Sequence, residues 1–263
     1  MVMAMTYDYE YFKKAIYDLT KIDLNAYKEK QMKRRIDTLI AKNKVVGYDK
    51  YVAALKSDKN MFEEFVNYLT INVSEFYRNV DQWRLLDQEI IPDLIKSYGN
   101  RLKIWSAACS TGDEPYSLVM ALSKHLPLNQ IKIYATDLDK QVIAKAKAGL
   151  YSEKSIAGVP SDLKNKFFTK IGPSYQISED VKSRVEFKEH NLLKDAYQTD
   201  YHLIVCRNVL IYFTEEAKDE VFRKFQKSLK PGGYLFIGST EQIINHRDVG
   251  FERKNSFFYQ RPL

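Results

Sequence analysis

The residues most suggestive of chemistry lie in the stretch "KIWSAACSTGDEPYSLVMAL", from Lys103 to Leu122. Its apolar run, small-residue loop and helical pattern are those of a nucleotide-binding turn, yet it holds one glycine, Gly112, where dinucleotide loops use three. Asp113 and Glu114 follow, and two carboxylates would repel a diphosphate. The loop is therefore predicted to bind a cation or a hydroxyl-rich group, unless its carboxylates serve only the helix N-terminus.

Two further polar positions follow short apolar runs. Asp137 ends "IYATD" 25 residues after Gly112, and a carboxylate at about that distance typically accepts hydrogen bonds from both ribose hydroxyls. Asn191 in "EFKEHNLL" carries a donor and an acceptor on one side chain, which matches an adenine edge against which Leu192 could lie. The alternatives are that Asn191 is a turn residue and that Asp139 caps the next helix.

A fourth polar position ends the strongly apolar run "LIVCRN". Arg207 and Asn208 stand there, and Tyr212 follows in "VLIYF". A charge at this place is not expected as core filler, because a buried unpaired charge is costly. These groups together suit a ligand with an adenosine moiety, no diphosphate and a cationic tail. S-adenosylmethionine (SAM) is such a ligand.

The elements that must position these residues alternate from Arg101 onwards. Four apolar runs predict strands, "LKIWSAA", "IKIYATD", "HLIVCRN" and "GYLFIGS", with helical patterns between them. This alternation predicts a parallel sheet with helices on both faces, whose ligands bind outside the carboxyl ends of the strands. "LKPGG" is predicted to stop a helix and form a turn. Residues 152–190 predict an antiparallel insert, and the tail "FERKNSFFYQRP" predicts antiparallel edge strands.

The first seventy residues are predicted to form a small helical bundle. Helices are expected over 6–20, 25–44 and 59–70, and a further helix over 81–98. Apolar side chains recur at helical spacing in the second of these helices, at Met32, Ile36, Leu39 and Ile40. The same helix carries seven cations against two anions from Lys28 to Lys44. This is either a solvated face or a docking surface for an acidic partner.

The segment "TINVSEFYRN" joins the helical region to the alternating region. An interdomain linker is its simplest interpretation, but Phe76 and Tyr77 are too apolar for a loose linker. Polar side chains interleaved with aromatic rings are typical of a lid whose rings pack while its polar groups face a ligand. The segment is therefore predicted to close over the site.

The composition is that of a globular protein, with 45% hydrophobic and 29% charged residues in a chain of 263. The formal net charge of +7 suits an acidic partner without identifying it. Cys109 and Cys206 are predicted to be structural thiols in a reducing compartment. No apolar run is long enough to span a membrane, and the N-terminus lacks the basic region of a signal peptide, so a cytoplasmic location is expected. The four histidines show no metal-ligand spacing, and no metal is expected.

Six motifs occur in a fixed order along the chain. They are "TINVSEFYRN" (70–79), "WSAACSTGDEPYS" (105–117), "ATDLD" (135–139), "EFKEHNLL" (186–193), "CRNVLIYF" (206–213) and "LKPGGYLFIGSTE" (229–241). In this order they resemble the chemotaxis-receptor glutamate O-methyltransferases, the CheR family, over nearly the full length of the chain. Each motif alone is weakly specific, whereas the six together are highly specific.

The resemblance implies an α/β fold, that of a Rossmann-like class I SAM-dependent methyltransferase with a mostly parallel seven-stranded sheet. An N-terminal all-α domain for receptor recognition is expected over 1–72, a linker or lid over 73–84, and the methyltransferase domain over 85–263, with a small antiparallel β insert at about 152–185. The implied reaction transfers a methyl group from SAM to glutamate carboxylates of chemotaxis receptors. It gives glutamate methyl esters and S-adenosylhomocysteine and serves adaptation in chemotaxis.

The resemblance also implies roles for individual residues. Arg78 and Tyr212 would lie nearest the transferred methyl group and are the expected catalytic residues. Glu114 would meet the ammonium group of the cofactor, Asp137 its ribose, and Asn191 with Leu192 its adenine. The expected cofactor-binding residues are Asn72, Ser74, Arg78, Glu114, Asp137, Asn191, Leu192, Arg207 and Asn208. The expected receptor-binding residues are Lys30, Lys33, Arg34 and Arg35.

Two positions depart from the family pattern. Ser74 replaces the more frequent threonine, and "GSTE" stands where "GHSE" is common, which leaves Ser239 and Thr240 without an assigned role. The implied partner is the acidic helical bundle of a receptor's cytoplasmic domain, with no nucleic acid, no direct membrane insertion and a monomeric chain.

Two alternatives to this function stay open. The first is a nucleic-acid methyltransferase, against which the missing Asn/Asp-Pro-Pro-aromatic motif at "RNVLIYF" counts. The second is a receptor-binding module without turnover, against which the complete set of cofactor residues counts.

Overall fold

The computed structural model describes residues 7–263, which form two compact units. The first unit comprises residues 7–71 together with residues 212–218. The second comprises residues 72–211 and 219–263. The predictions at residues 1–6 lie outside the described residues.

The first unit is helical, as predicted. Its α-helices are α1 (Tyr9–Thr20), α2 (Glu29–Lys42), α3 (Tyr48–Ser57) and α4 (Lys59–Thr70). The carboxylates of Asp8 and Asp58 accept backbone hydrogen bonds from the first turns of α1 and α4, which fixes where those helices begin. The four apolar residues predicted on one face of α2 are all buried.

Helix α3 was not predicted. It is short and starts after Gly47, which makes no side-chain cap, and it buries only Tyr51, Val52 and Leu55. Such a segment is helical because its neighbours cover its apolar side chains, and its own sequence pattern is weak. Phe12 and Phe65 pack against Tyr51 from α1 and α4, so tertiary packing stabilises α3.

A helix in three continuous pieces precedes the sheet of the second unit. α5 (Val80–Leu85) passes into a π-helical turn (Leu86–Ile90) and then into α6 (Ile91–Tyr98). This confirms the helix predicted over 81–98. The wide turn precedes Pro92, whose ring lacks an N–H and would clash with the carbonyl group four residues earlier in a regular α-helix.

The second unit contains all ten strands of the described chain. They are β1 (Ile104–Ala107), β2 (Ile133–Asp137), β3 (Leu150–Ser152), β4 (Phe168–Ile171), β5 (Ser174–Ile177), β6 (Val185–Glu189), β7 (Tyr201–Cys206), β8 (Leu229–Ile237), β9 (Glu252–Arg253) and β10 (Phe258–Gln260). The further α-helices are α7 (Asp113–Leu122), α8 (Lys140–Ala148), α9 (Ser161–Phe167), α10 (Glu179–Lys182), α11 (Glu215–Ser228), which begins in the first unit, and α12 (His246–Val249).

Seven strands form the main sheet in the order β6-β2-β1-β7-β8-β10-β9. The first five are mutually parallel, and β10 is antiparallel to both of its neighbours. This confirms the predicted parallel sheet and the antiparallel tail. The alternation over 152–190 wrongly included β6 in the insert, because β6 pairs parallel with β2 in the main sheet.

The "LKPGG" segment is assigned to a strand, whereas a turn was predicted there. The pairing of β8 with β7 jumps from Leu229 opposite Tyr201 to Tyr234 opposite Leu203. The residues between are an irregular excursion, with Gly232 at a φ of 83° that favours glycine. The turn therefore exists inside the strand, as a bulge.

The insert is a small antiparallel sheet with the order β3-β5-β4. It confirms the predicted insert, although helix α9 lies within it and the sheet starts at Leu150, two residues earlier than the predicted boundary. Strands β1 and β7 at the centre of the main sheet are buried along their whole length. Because β6, β2, β1, β7 and β8 are parallel, their carboxyl ends meet at one edge, where the predicted polar residues follow.

Candidate cofactor site

The loop between β1 and α7 makes a tight turn through unusual backbone geometry. Ala108, Ser110 and Gly112 have φ values of 64°, 49° and 88°. A Cβ at Gly112 would lie 2.8 Å from the Cβ of Ala146 and 3.1 Å from the hydroxyl of Tyr151. Only glycine therefore fits at this position, as the sequence predicted from one essential glycine.

Asp137 ends β2 and is almost fully buried. Its Oδ2 accepts a hydrogen bond of 2.8 Å from the Ser110 N–H, and its Oδ1 accepts one of 3.0 Å from the Asp139 N–H. Burial raises the pKa of Asp137 to about 6, and the two backbone donors oppose that rise. The carboxylate is thus fixed beside the β1 loop with lone pairs left for further donors, as ribose binding requires.

Glu114 lies in the first turn of α7, next to Arg207. Its Oε1 accepts a hydrogen bond of 2.8 Å from the Ser106 hydroxyl, and its Oε2 lies 3.7 Å from Nη1 of Arg207. Burial raises the pKa of Glu114 to about 7, because the nearby arginine only partly offsets the loss of solvation. A further cation at this carboxylate would favour its ionised form.

Arg207 follows β7, and its guanidinium is buried. Its centre lies 4.8 Å from the ring of Phe236, while Nη2 donates 2.6 Å to the carbonyl oxygen of Arg78 and 2.8 Å to Oε1 of Gln82. Burial lowers the pKa of the guanidinium and the charge of Glu114 raises it. Arg207 therefore stabilises the segment around Arg78 through hydrogen bonds. It is also part of the predicted floor of the site.

The segment 72–79 is fastened at several points within the second unit. Asn72 donates 2.9 Å to Oδ2 of Asp139, and the Tyr77 N–H donates 3.1 Å to the Ser117 hydroxyl. The Phe76 N–H donates 3.1 Å to the carbonyl oxygen of Ser155 in the insert. Residues 72–79 of the predicted lid segment are thus held in place by hydrogen bonds to the rest of the second unit, and we call them the strap. These contacts fix the positions from which its polar side chains project.

Asp113 makes contacts that the sequence left open. Its Oδ2 accepts a hydrogen bond of 2.5 Å from the Thr111 hydroxyl. Burial raises the pKa of Asp113, and the hydrogen bond from Thr111 opposes the rise. The Asp113 carboxylate therefore stabilises the β1 loop through Thr111, and the cap of α7 is Gly112.

Asn191 and Leu192 follow β6. Oδ1 of Asn191 accepts a hydrogen bond of 2.9 Å from the Leu193 N–H, and the Asn191 N–H donates 2.8 Å to Asp195. This is the turn role that the sequence kept as an alternative. The amide nitrogen of the side chain remains as a donor, and Leu192 is buried beside it.

The predicted residues do not all belong to one unit. Tyr212 is grouped with the first unit, where its carbonyl oxygen accepts a hydrogen bond of 2.9 Å from the Lys28 N–H. The remaining members of the predicted catalytic and cofactor set belong to the second unit, where Arg207 contacts Glu114 and Arg78, while the hydrogen bonds of Asn191 and Leu192 are local.

The predicted receptor-binding cations of α2 divide into two pairs. Lys33 forms an ion pair of 2.8 Å with Asp37, and Arg35 donates 2.7 Å to the Tyr68 carbonyl oxygen and stacks on its ring. Lys30 and Arg34 have exposed side chains. The Lys33 side chain stays 42% exposed in this ion pair, and receptor binding by all four cations stays a prediction.

Sequence reasoning missed two residues that support the site. Gln82 donates 2.8 Å to the Ser239 hydroxyl and accepts from Arg207, which gives Ser239 a role. Glu241, in the same "GSTE" stretch, is buried and accepts backbone hydrogen bonds from two loops. For Glu241 the available signal was a charged residue in the "GSTE" stretch that follows the buried strand β8.

The strand order and the carboxylates at the strand ends define a class I SAM-dependent methyltransferase. Residues 72–256 match the CheR methyltransferase SAM-binding domain, and residues 7–70 match the CheR methyltransferase all-alpha domain. The chain belongs to the CheR methyltransferase family, in which methylation of glutamate is the standard reaction.

Named relatives support this assignment over nearly the whole chain. A chemotaxis protein methyltransferase of Listeria innocua is 40% identical over 98% of this chain and 99% of its own. Chemotaxis protein methyltransferase 1 of Pseudomonas aeruginosa is 34% identical over 92% of each chain. A solved TehB-like SAM-dependent methyltransferase from Corynebacterium glutamicum is 18% identical over 70% of this chain and 94% of its own, with a TM-score of 0.39, which is too low to support a conclusion.

The residues at the sheet edge fit SAM. Within residues 7–263, the hydroxyl of Ser110 and Nε of Arg207 are buried without a hydrogen-bond partner, which is costly unless a ligand or water completes them. Both belong to residues beside the predicted carboxylates. Over the same residues, no cluster of three potential metal ligands occurs, and no helix is long and apolar enough to cross a membrane.

Proposed function

We propose that this protein transfers the methyl group of SAM to glutamate side chains of chemotaxis receptors, as an adaptation enzyme. The product would be a glutamate methyl ester, with S-adenosylhomocysteine released. The observation that carries the proposal is a pair of carboxylates that follow neighbouring strands, Asp137 buried at the end of β2 and Glu114 in the first turn of α7 with 13% of its side chain exposed. Asp137 suits the ribose hydroxyls, and Glu114 suits the ammonium group of the cofactor.

The reaction would be an in-line displacement that needs no general base. A substrate glutamate, with a pKa of about 4.3, is already ionised near neutral pH. Carboxylate and sulfonium lose their opposite charges in the transition state, so water would stabilise the reactants more than the transition state. The protein therefore has to align the reactants and exclude water.

Arg78 is proposed to orient the incoming carboxylate. Its backbone is fixed, because its carbonyl oxygen accepts hydrogen bonds from Arg207 and from the Trp83 indole. Its own Nη1 donates 3.2 Å to the Val73 carbonyl oxygen, which leaves the other side of the guanidinium fork for a ligand. Tyr212 is proposed as a second positioning hydroxyl.

The cofactor set is proposed to comprise the residues predicted from the family pattern. Ser74 and Asn72 would act from the strap, Arg207 and Asn208 from the floor, and Asn191 with Leu192 at the adenine. The functional regions are proposed as 1–72 for receptor recognition, 73–84 for the lid and 85–263 for catalysis.

The exposed cations of α2 are proposed to dock the acidic receptor bundle. Lys30 and Arg34 stand four residues apart and so share one helix face. The receptor is the expected cytoplasmic partner, and a cytoplasmic monomer is proposed for the enzyme. The two buried thiols, both free, are in keeping with a reducing compartment.

Replacement of Arg78 tests the proposed function. Arg78→Ala should lower receptor methylation by about 100-fold or more, because the substrate carboxylate loses its fork of donors. Radiolabelled methyl transfer to receptor-containing membranes, with base-labile release of the label, measures the effect.

Arg84→Ala is the matched control, since Arg84 is largely exposed and pairs only with Asp81 among the described ion pairs. It should methylate receptor at the normal rate. Near-normal turnover of Arg78→Ala would remove Arg78 from the mechanism. Preferred transfer to RNA or DNA in a competition of acceptors would overturn the receptor substrate.

A further inference from the structure

Glu241 is a buried carboxylate to which neither the mechanism nor the family pattern has given a role. It lies in the loop after β8, and only 3% of its surface is exposed. Burying a carboxylate is costly unless donors surround it. What surrounds Glu241 therefore indicates its purpose.

Four backbone N–H groups donate to this one side chain. Oε2 accepts 2.6 Å from Asn208 and 2.9 Å from Gly238, while Oε1 accepts 2.7 Å from Val209 and from Leu210. Three of these donors belong to the loop after β7, and the fourth directly follows β8. A single carboxylate thus fixes the loops of two neighbouring strands to each other.

The loop that Glu241 holds would not keep this shape unaided. Asn208 has a φ of 61°, a left-handed conformation that is uncommon outside glycine. The three successive N–H groups at 208–210 point to one anion, as in a backbone nest. Without that anion, three donors would be left facing one another in a buried place.

Gly238 lies in close contact with both the Glu241 carboxylate and the loop after β7. A Cβ at this position would lie 2.7 Å from Oε2 of Glu241 and 3.0 Å from the backbone nitrogen of Asn208. The backbone just after β8 therefore comes this close to the β7 loop only because the residue is glycine. The "GSTE" stretch supplies both halves of the contact.

The held loop carries the proposed floor of the cofactor site. Arg207 directly precedes the three residues whose N–H groups donate to Glu241. Its guanidinium contacts Glu114 and the carbonyl oxygen of Arg78. The charge of Glu241 also acts on that guanidinium and raises its pKa. A shift of the loop would move Arg207 and Asn208 together.

We propose that Glu241 is a positioning residue, a carboxylate clamp that sets the geometry of Arg207 and Asn208 for cofactor binding and methyl transfer. The proposal rests on the proposed role of these two residues in the cofactor site. Because its four hydrogen-bond donors are all backbone N–H groups, Glu241 is proposed to act through the loop and not by contact with the cofactor.

Glu241→Gln tests the clamp at nearly constant volume. The amide turns one acceptor oxygen into a donor that faces backbone N–H groups, so the loop should shift. Calorimetry should show S-adenosylhomocysteine binding weakened about tenfold or more, and kcat for receptor methylation should fall with KM for receptor unchanged. Amide hydrogen exchange should accelerate at 208–210 and 238, beyond any global change seen in urea unfolding.

Two further variants keep the test decisive. Glu252→Gln is the control, because Glu252 is exposed and pairs with Lys254, and it should change none of these values. Gly238→Ala should reproduce the cofactor defect of Glu241→Gln without any change of charge. If Glu241→Gln does not fold, Gly238→Ala decides, and wild-type cofactor affinity and kcat in the variant measured would overturn the proposal.

Asn208→Ala separates this proposal from the proposed function. Weakened cofactor binding in Asn208→Ala with normal binding in Glu241→Gln would overturn the clamp alone. Normal cofactor affinity in Asn208→Ala would overturn the proposed role of Asn208 in cofactor binding. The proposed purpose of the Glu241 clamp would then be overturned as well.

Discussion

The two units of the chain handle their charged residues differently. In the second unit, the carboxylates of Asp137 and Glu114 are held by donors of the same unit at the sheet edge. In the first unit, α2 keeps Arg35 for an internal contact and exposes Lys30 and Arg34. Charges held by neighbours are set to meet a small ligand, whereas exposed charges are available to a macromolecule.

The difference also predicts how each unit responds to substitution. A buried carboxylate that accepts backbone hydrogen bonds supports both the fold and the ligand, so its loss should affect both. An exposed cation contributes little to stability, so its loss should affect only association. The predictions below test this separation, beginning with the largest expected effect.

Asp137→Ala should show the coupled loss in the second unit. The ribose would lose a carboxylate acceptor, and the N–H groups of Ser110 and Asp139 would lose theirs. Affinity for S-adenosylhomocysteine should fall about 100-fold or more, and the free energy of unfolding should fall by about 1–3 kcal/mol. Calorimetric titration and urea unfolding measure the two effects.

Glu189→Gln is the control for this variant. Glu189 ends the neighbouring strand β6, but it is half exposed and pairs with Lys140. Both quantities should stay at their wild-type values in the control. Normal cofactor affinity in a folded Asp137→Ala protein would break the assignment of ribose binding to this carboxylate.

The sequence predicted β1, β2, β7 and β8 of the main sheet because the sheet buries their apolar runs, whereas β6, which has no fully buried residue, was wrongly included in the insert. For the same reason it could place Asp137 at the end of β2, and Gly112 with Glu114 in the turn and helix start that follow β1. It could not predict the clamp at Glu241, because that contact depends on β7 and β8 being neighbours. Sequence periodicity reports which face of an element is buried, but it does not report which loops meet.

The same limit applies to the contacts of Lys33 in α2. Helical spacing places Lys33 away from the apolar face, but it does not identify what the lysine contacts there. Its partner Asp37 lies one turn later on the same helix, and its ammonium also lies 5.8 Å from the ring of Tyr48 on α3. Because α3 itself was not predicted, the ring contact could not be foreseen.

Reversal of the exposed cations should isolate the association effect in the first unit. Lys30→Glu combined with Arg34→Glu should lower kcat/KM for receptor methylation by about tenfold, because an acidic partner would be repelled. The loss should shrink at high salt. Unfolding and S-adenosylhomocysteine binding should not change, and steady-state methylation over a salt series measures the effect.

Arg35→Ala provides the contrasting variant on the same helix. Its guanidinium donates to the Tyr68 carbonyl oxygen and stacks 4.6 Å from the ring centre of that residue. We expect a loss of about 1–2 kcal/mol in unfolding free energy. If the exposed pair lowered stability while Arg35→Ala lowered only methylation, the division of α2 into two functions would be wrong.

The pH dependence of cofactor binding should give the smallest effect, and it concerns Glu114. Burial raises the pKa of this carboxyl from 4.5 to about 7 in the protein without cofactor. The native state therefore holds a proton that the unfolded chain releases, and the contribution of Glu114 to stability falls as the pH rises from about 4.5 to about 7.

A cofactor ammonium group favours the ionised carboxylate of Glu114, so cofactor affinity should rise several-fold over about pH 6 to 8. Calorimetry of S-adenosylhomocysteine binding in buffers of different ionisation enthalpy should detect the proton released below about pH 7, and Glu114→Gln should abolish that release while retaining the contact with Ser106. A release that persists in Glu114→Gln would assign the titration to Asp137, whose pKa burial raises to about 6, and would leave the ammonium group without its proposed partner.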